Sequence, residues 1–400
     1  MLTDAQLAIV KATVPVLQQH GETITRTFYG FLFEENPQLK NIFNMAHQAK
    51  GEQPRALAGA VIAYAAHIDE IAALGPAVAK IAHKHASLDV LAEHYPIVGR
   101  NLLKAIGHVL GDAATPEIVD AWGAAYGQLA QIMIGAEADL YSDNEARGWA
   151  GFKPFRVAEK IVESAVITSF KLAPVDGQPL PAHLAGQYLS VRFEVIPGSS
   201  NVQMRQYTVS CAPNPDYYRI SVRRESGGVV SSHLHDAVTV GDEVLVHMPQ
   251  GEFTVDESAN SPIVLLSGGV GATPLLAILN RLVEMKSERE IVWVQAAIDG
   301  SVRAFGAEVD ALAQGRPNVR TTVIYESPRP EDQPDLMGRI NVDLLRPLVP
   351  VNSDVYFCGP KPFMAAAEAA LVALGISEER RHHEVFGPTT ALASAETVGA

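Results

Sequence analysis

One histidine of this chain lies on an apolar helical stripe, where an imidazole needs a chemical reason. Val78, Ile81, Ala82 and His85 follow one another at the spacing of one helix face, and His83 falls on a different face. An imidazole on such a stripe can be a core histidine satisfied by a hydrogen bond, or it can be the axial ligand of a haem iron. The spacing alone supports both interpretations about equally.

A glycine-rich turn is the second candidate for chemistry. It spans residues 267–274, follows the apolar run 263–266 and precedes a helical pattern. Backbone N–H groups at the start of a helix attract phosphate, and glycines let a phosphate approach closely. The turn departs from the dinucleotide-binding fingerprint because Pro274 stands where the third glycine would be, although proline suits the first turn of a helix. The pattern therefore predicts a phosphate site without identifying the nucleotide.

The elements that position the histidine are predicted to be helices. Residues 1 to about 140 show helical spacing of apolar residues throughout. Thr3 and Gln6 form a capping-box pattern, and Asn36 and Thr115 each precede a proline, which predicts further helix starts. This part of the chain is expected to be an all-α domain.

The elements around the glycine-rich turn are predicted to be strands and helices. From about residue 150, short apolar runs separated by Gly, Pro and Asp turns favour a small antiparallel barrel or sandwich. Near Pro262 the pattern changes to short, fully apolar strands and a helix at 275–285, which predicts a parallel α/β domain. The predicted strands are 161–167, 188–193, 218–222 and 244–246 in the first part, and 263–266, 291–294 and 355–357 in the second.

Composition limits the classes of function. A chain of 400 residues predicts two to four domains, and a net charge of −14 argues against nucleic acid as a partner. We expect no transmembrane segment and a cytoplasmic location, because the N-terminus lacks a signal-peptide pattern and no long apolar run is present. Cys211 and Cys358 lie far apart, so a disulfide framework is not expected.

Several short motifs of the helical part resemble the globin domain of bacterial flavohaemoglobins, in matching order and spacing. They are Phe28-Tyr29, residues 40–45, Lys84-His85 and residues 95–99. The resemblance implies a haem b with His85 as the proximal iron ligand and the Phe43 ring packed against it. It also implies that Tyr29 and Gln53 are distal hydrogen-bond donors to dioxygen, with Leu57 as an apolar wall.

The same resemblance assigns Tyr95 and Glu137 to the proximal side of the haem, hydrogen-bonded with His85. A carboxylate that accepts from the ring N–H gives the imidazole imidazolate character and pushes electron density onto iron. Oxygen-carrying globins usually lack this push, so the assignment favours oxygen chemistry over oxygen carriage. Lys84 resembles the family residue that influences the haem potential.

The motif at residues 205–208, in the strand-rich part of the chain, resembles the flavin domain of ferredoxin reductases. In that family the arginine of the motif, here Arg205, holds the FAD pyrophosphate, Tyr207 stacks on the isoalloxazine and the Thr208 hydroxyl reaches N5. Glycines at 227 and 228 would let backbone N–H groups approach a phosphate. The residues that the resemblance assigns to FAD are Tyr188, Arg205, Gln206, Tyr207, Thr208, Gly228 and Ser231.

The glycine-rich turn at 267–274 and residues 358–360 resemble the NAD(P)-binding lobe of the same reductases, and residues 384–388 resemble their closing motif. The resemblance implies that Phe386 covers the flavin where nicotinamide must enter, and that Glu384 affects the potentials of flavin and haem. The residues assigned to this lobe and to the closing motif are Gly269, Val270, Gly271, Ala272, Thr273, Pro274, Cys358, Gly359, Glu384, Val385, Phe386, Gly387 and Pro388. NADH and NADPH both stay open, since residues 295–303 contain one arginine and no clear acidic ribose clamp.

The expected architecture is multidomain. It comprises an all-α globin at 1–140, an antiparallel β-barrel FAD-binding domain at 150–257 and an α/β parallel-sheet NAD(P)-binding domain at 258–400. The resemblance implies an NAD(P)H-dependent nitric oxide dioxygenase that forms nitrate from nitric oxide and O2, with a monomer as the expected state and a lipid as a candidate distal ligand. Two alternatives remain: an oxygen-binding or sensing haemoprotein with its own reductase, and a reductase for peroxide or external acceptors.

Overall fold

The structure, a computed structural model, describes residues 2–387 of the chain. These residues form two compact units. The described part of the first unit comprises residues 2–151, Phe193–Met204 and Gly387, and the second comprises Phe152–Arg192 and Arg205–Phe386. The domain boundaries expected from the sequence stay a prediction, and Pro388 lies outside the described residues.

The first unit is built from helices. In chain order they are α1 (Asp4–Ala12), α2 (Val14–Glu35), α3 (Met45–Ala49), α4 (Glu52–Ala66), α5 (Gly75–Ala86), α6 (His94–Leu110) and α7 (Pro116–Ala146). The capping box is confirmed, because Thr3 accepts from the Gln6 backbone and Gln6 accepts from the Thr3 backbone. The predicted start after Thr115 is also confirmed, since the Thr115 hydroxyl accepts from the Ile118 N–H.

The predicted helix start at Asn36 is wrong in its details. Pro37–Asn41 is a 3₁₀ helix, and Asn36 does not cap it. The Asn36 side-chain amide instead donates to the Leu32 carbonyl oxygen at 3.3 Å. Asn36 therefore satisfies the end of α2, because its side chain turns back to the helix that precedes it.

Two apolar clusters hold these helices together. The larger cluster contains Phe28 and Leu32 of α2 with Trp122 of α7. A smaller cluster joins α5, α6 and α7 through Ala82, Tyr95, Ala130 and Met133. The apolar face of α5 is therefore buried against α6 and α7, as its stripe predicted. Among the described residues, no helix combines the length and apolar character needed to cross a membrane.

The next part of the chain forms an antiparallel barrel, most of which belongs to the second unit. Its elements are β1 (Phe152–Val162), β2 (Ile167–Pro174), β3 (Tyr188–Phe193), β4 (Gln203–Thr208), β5 (Tyr218–Arg223), α8 (Val229–Asp236) and β6 (Glu243–His247). The strand order is β4-β3-β6-β1-β2-β5, and a bridge between Val209 and Ile220 joins the two edges. This pairing closes the sheet and confirms the predicted barrel.

The strand expected at 161–167 is wrong, because this run spans a turn. Val162 ends β1 and Ile167 begins β2. Between them the Ser164 hydroxyl accepts from the Ile167 N–H at 3.2 Å, and the Glu163 N–H donates to the Ile167 carbonyl at 3.0 Å. Apolar residues on both sides of the turn made two strand ends look like one strand.

The second unit ends in a parallel sheet covered by helices. Its elements are β7 (Ile263–Gly268), α9 (Ala272–Glu284), β8 (Ile291–Ala297), α10 (Gly306–Ala313), β9 (Val319–Tyr325), β10 (Leu336–Met337), α11 (Val342–Leu345), β11 (Asp354–Cys358), α12 (Lys361–Ala373) and β12 (Arg381–Glu384). The strand order β10-β9-β8-β7-β11-β12 confirms the predicted α/β lobe. Ile263 and Leu265 face the cluster around α9, whereas Val264 and Leu266 face the cluster that includes α12 residues. Burial on both faces explains why the first four residues of β7 are all apolar.

Candidate functional site

A buried hydrogen-bond triad surrounds His85 in the helical unit. The His85 Nδ1 lies 2.7 Å from Glu137 Oε1 and 3.2 Å from the Tyr95 hydroxyl, and that hydroxyl donates to Glu137 Oε1 at 2.6 Å. His85 comes from α5, Tyr95 from the first turn of α6 and Glu137 from α7. Packing of these three helices therefore assembles the three residues that the sequence resemblance paired.

Burial decides which way the protons point in this triad. The Glu137 side chain is only 2% exposed, so its carboxylate needs donors nearby. Burial, with a further contribution from Glu137, raises the pKa of Tyr95, so the phenol stays protonated and donates. Glu137 also accepts from the ring, which places the imidazole proton on Nδ1 and leaves Nε2 of His85 as the atom that can bind a metal.

The residue environment of His85 fits a haem ligand better than a core histidine. Its neighbours Ala82 and Ala86 are buried, yet the His85 side chain is 34% exposed. A histidine that served only the core would bury both ring nitrogens. Nδ1 is satisfied inside the protein by Glu137, which leaves Nε2 as the nitrogen available to an iron. Lys84 lies half-buried beside His85 on α5.

The distal residues assigned by the resemblance lie in one aromatic environment. The ring centroids of Phe33 and Phe43 each lie 5.7 Å from that of Tyr29. Leu57 packs against the same cluster from α4. Burial raises the pKa of Tyr29, so its hydroxyl is a neutral donor at physiological pH. Gln53 accepts a hydrogen bond of 3.0 Å from the Gln48 amide.

Strand β4 carries the residues assigned to the flavin. Arg205, Gln206 and Tyr207 are half-buried, and Thr208 is 7% exposed. Burial lowers the pKa of Arg205, which marks a partly desolvated cation that an anion such as a pyrophosphate would stabilise. Burial raises the pKa of Tyr207, so its ring is a neutral, apolar face suited to stacking.

A turn before α8 supplies the candidate phosphate site of the barrel. Gly227 has a φ of 70°, which a residue with a side chain rarely adopts. A side chain at Gly228 would crowd the Ser231 hydroxyl, which accepts from the Glu225 N–H at 3.1 Å. On a strand of the same barrel, the Tyr188 ring lies against Gly251, a glycine that the sequence analysis did not single out.

The glycine-rich turn after β7 packs against the end of β11. Gly269, Val270 and Gly271 form a short 3₁₀ helix, and the buried Ala272, Thr273 and Pro274 open α9. A Cβ on Gly271 would overlap the carbonyl oxygen of Cys358. Since β8 and β11 flank β7 on opposite sides, this turn lies at the topological switch point, where nucleotides bind in such sheets.

Substitution of Gly271 tests this close approach. We expect Gly271→Ala to destabilise the reductase unit by about 1–3 kcal/mol, because the added methyl meets backbone that cannot move freely. Thermal unfolding of the purified chain, followed by flavin fluorescence, measures the change. Gly306→Ala is the matched control in the same lobe, since its nearest neighbour is the flexible Arg303 side chain. Equal melting temperatures for the two variants would contradict the packing argument.

The residues assigned near the C-terminus lie at the same end of the sheet. Glu384 pairs with Cys358 across β12 and β11, and Cys358 is fully buried. Val385 packs against the cluster that includes α12 residues. Phe386 is 45% exposed. Gly387 has a φ of 130°, which favours glycine.

The structure also identifies residues that the sequence analysis missed. Phe363 lies against the glycines at 268 and 359, so both positions exclude a side chain. The Tyr126 hydroxyl donates to the Tyr95 carbonyl at 2.6 Å, and a Cβ at Gly99 would overlap the Tyr126 ring. The spacing of residues along one helix could not single out Phe363 or Tyr126, because such contacts join separate elements.

Comparison with known proteins covers both units. A family model described as globin matches residues 26–133, and one described as an oxidoreductase NAD-binding domain matches residues 265–369. The flavohemoprotein of Deinococcus radiodurans is 53% identical over 400 residues, covering 98% of this chain and 99% of its own. That of Bordetella parapertussis is 49% identical over 398 residues, covering 97% and 99%.

Solved structures extend the match to three dimensions. The flavohemoglobin of Malassezia yamatoensis, a crystal structure with bound FAD and heme, matches with a TM-score of 0.87 at 29% identity, covering 96% of this chain and 100% of its own. The FAD/NAD-binding domain of nitric oxide dioxygenase from Vibrio cholerae matches with a TM-score of 0.55 at 37% identity, covering 59% and 99%. Since the curated relatives match along their whole length, this chain belongs to the flavohaemoprotein family.

Proposed function

We propose that this flavohaemoprotein is an NAD(P)H-dependent nitric oxide dioxygenase, which forms nitrate from nitric oxide and dioxygen with the aid of haem, FAD and NAD(P)H. The observation that carries the proposal is the triad, in which the Glu137 carboxylate accepts from both His85 and Tyr95. Such a carboxylate makes the imidazole a stronger electron donor to iron, which favours oxygen activation. A relative from Vibrio cholerae named as a nitric oxide dioxygenase supports the choice of substrate.

In this proposal the helical unit holds and tunes the haem. His85 would bind iron through Nε2, since Nδ1 is used by Glu137. Tyr29 and Gln53 would donate hydrogen bonds on the distal side, while Phe43 and Leu57 exclude water from it. Haem and flavin would together supply the one-electron and two-electron steps that side chains cannot perform.

The second unit would bind FAD and the nicotinamide cofactor. Arg205 would neutralise the FAD pyrophosphate, and Tyr207 would stack on the flavin ring. The turn that contains Gly271 would receive the NAD(P)H phosphates at the start of α9. Phe386 would cover the flavin until nicotinamide displaces it, which gives its exposed ring a surface to pack on.

The purified full chain tests the proposal directly. Supplied with NAD(P)H, dioxygen and nitric oxide, it is expected to form about two nitrate ions per NAD(P)H, because a hydride carries two electrons and each nitric oxide consumes one. Nitrate and NAD(P)H are measured in the same sample. Nitric oxide consumption that does not depend on NAD(P)H would contradict the proposal and leave an oxygen-binding haemoprotein as the better interpretation.

A further inference from the structure

A tight turn brings two glutamines together beside Tyr29. Gln48 lies in the last turn of α3 and Gln53 lies in the first turn of α4. Gly51, between the two helices, has a φ of 68°, and a side chain there would overlap the Arg26 guanidinium. The turn therefore reverses the chain in a conformation that favours glycine, which places Gln48 within reach of Gln53.

The start of α4 is fastened to the helix that carries Tyr29. The Thr25 hydroxyl donates to the Pro54 carbonyl at 2.8 Å in a buried position. Arg55 of α4 also lies 3.5 Å from the Glu22 carboxylate of α2. These contacts fix Gln53 relative to Tyr29, which follows Thr25 by one turn of α2.

Gln48 contacts both of the residues assigned to the distal side. Its Nε2 donates to Gln53 Oε1 at 3.0 Å, and its side chain is also hydrogen-bonded to the Tyr29 hydroxyl. The second hydrogen bond lowers the pKa of Tyr29 against the larger, opposite effect of burial.

The amide of a glutamine has two N–H donors and an acceptor oxygen, so Gln48 can hold Gln53 and contact Tyr29 at once. We propose that Gln48 is a positioning residue of the distal haem pocket, which holds Gln53 through its Oε1 atom so that the Gln53 amide N–H groups stay available to a diatomic ligand. These N–H groups then point to the acceptor instead of to Gln48. The inference rests on the proposed distal placement of Gln53.

Gas dissociation from the haem-loaded, ferrous full chain tests the proposal. In Gln48→Met we expect dioxygen to dissociate about 5–10-fold faster, as for the loss of one hydrogen bond. The dissociation rate of carbon monoxide should change by less than about 2-fold. Dioxygen accepts a hydrogen bond when it binds haem, whereas carbon monoxide is a weak acceptor. A purely structural disturbance would change both gases alike.

Gln128→Met is the matched control. Gln128 accepts from the Tyr64 hydroxyl at 3.1 Å in the same unit, so the variant loses a glutamine–tyrosine hydrogen bond elsewhere. Dioxygen dissociation in this control should equal that of the unmodified chain. Equal rates in Gln48→Met and Gln128→Met, or equal changes for both gases, would overturn the proposal.

A second variant keeps the test decisive if Gln48→Met does not retain haem. Gln48→Glu has the same shape but no N–H donor, so it would accept from the Gln53 amide and withdraw that donor from the pocket. We expect dioxygen dissociation at least as fast as in Gln48→Met, and an unchanged rate would overturn the proposal.

These gas measurements need no nitric oxide, so they separate this inference from the proposed function. Faster dioxygen loss in a chain that consumes no nitric oxide would support the role of Gln48 and reject the dioxygenase. Normal nitric oxide consumption with unaltered gas binding in the variant would support the dioxygenase and reject the role of Gln48.

Discussion

His85→Ala is expected to yield a chain that keeps FAD and NAD(P)H oxidation but loses the haem absorption band. The other two members of the triad cannot replace the nitrogen ligand, because the buried Glu137 carboxylate would have to leave its hydrogen bond with Tyr95. Loss of a residue that supports a metal ligand lowers activity by up to roughly 100-fold. Loss of the ligand itself should therefore lower nitric oxide consumption by more than that. An absorption spectrum and a nitric oxide electrode measure both effects on the same sample.

His83→Ala is the control for this variant. His83 lies on the same helix and two residues away, but not on the stripe that faces α6 and α7. It should retain haem and turnover, and flavin-dependent ferricyanide reduction should be normal in both variants. A His85→Ala chain with a full haem complement and normal turnover would reject His85 as the iron ligand.

Glu137→Gln is expected to lower nitric oxide consumption by about 10–100-fold while haem stays bound, as for the loss of a supporting hydrogen bond to a metal ligand. The carboxylate accepts from both His85 and Tyr95 through Oε1. An amide is neutral and cannot give the ring the same imidazolate character. The iron–histidine stretching frequency in resonance Raman spectra should fall with the rate, which a general loss of stability would not produce.

Glu145→Gln provides the comparison on the same helix. Glu145 is exposed near the end of α7, so its change removes one charge without entering the triad. Both the rate and the stretching frequency should match those of the unmodified chain. If Glu137→Gln kept full turnover with an unaltered frequency, the electron-push mechanism would be wrong, and oxygen binding without activation would become the better interpretation.

Local features of the fold could be predicted because they depend on neighbouring residues. The capping box at Thr3 and the helix start after Thr115 need only a few adjacent side chains, and both are confirmed. The apolar run 263–266 that begins β7 was predictable from its residues alone, because burial on both faces favours apolar side chains at successive positions. The same local reasoning failed at 161–167, where a turn between two apolar ends has no distinct spacing.

The candidates follow from the amino-acid sequence alone: a histidine on an apolar stripe, a glycine-rich turn before a helix, and motifs that resemble a known family. Their partners follow from the packing of distant elements. His85 meets Glu137 across 52 positions because α5 packs on α7, and Gly271 meets Cys358 because β7 and β11 are neighbours in the sheet. Periodicity describes which face a residue occupies, whereas contacts between distant elements depend on how those faces pack, so the proton arrangement at His85 required the fold.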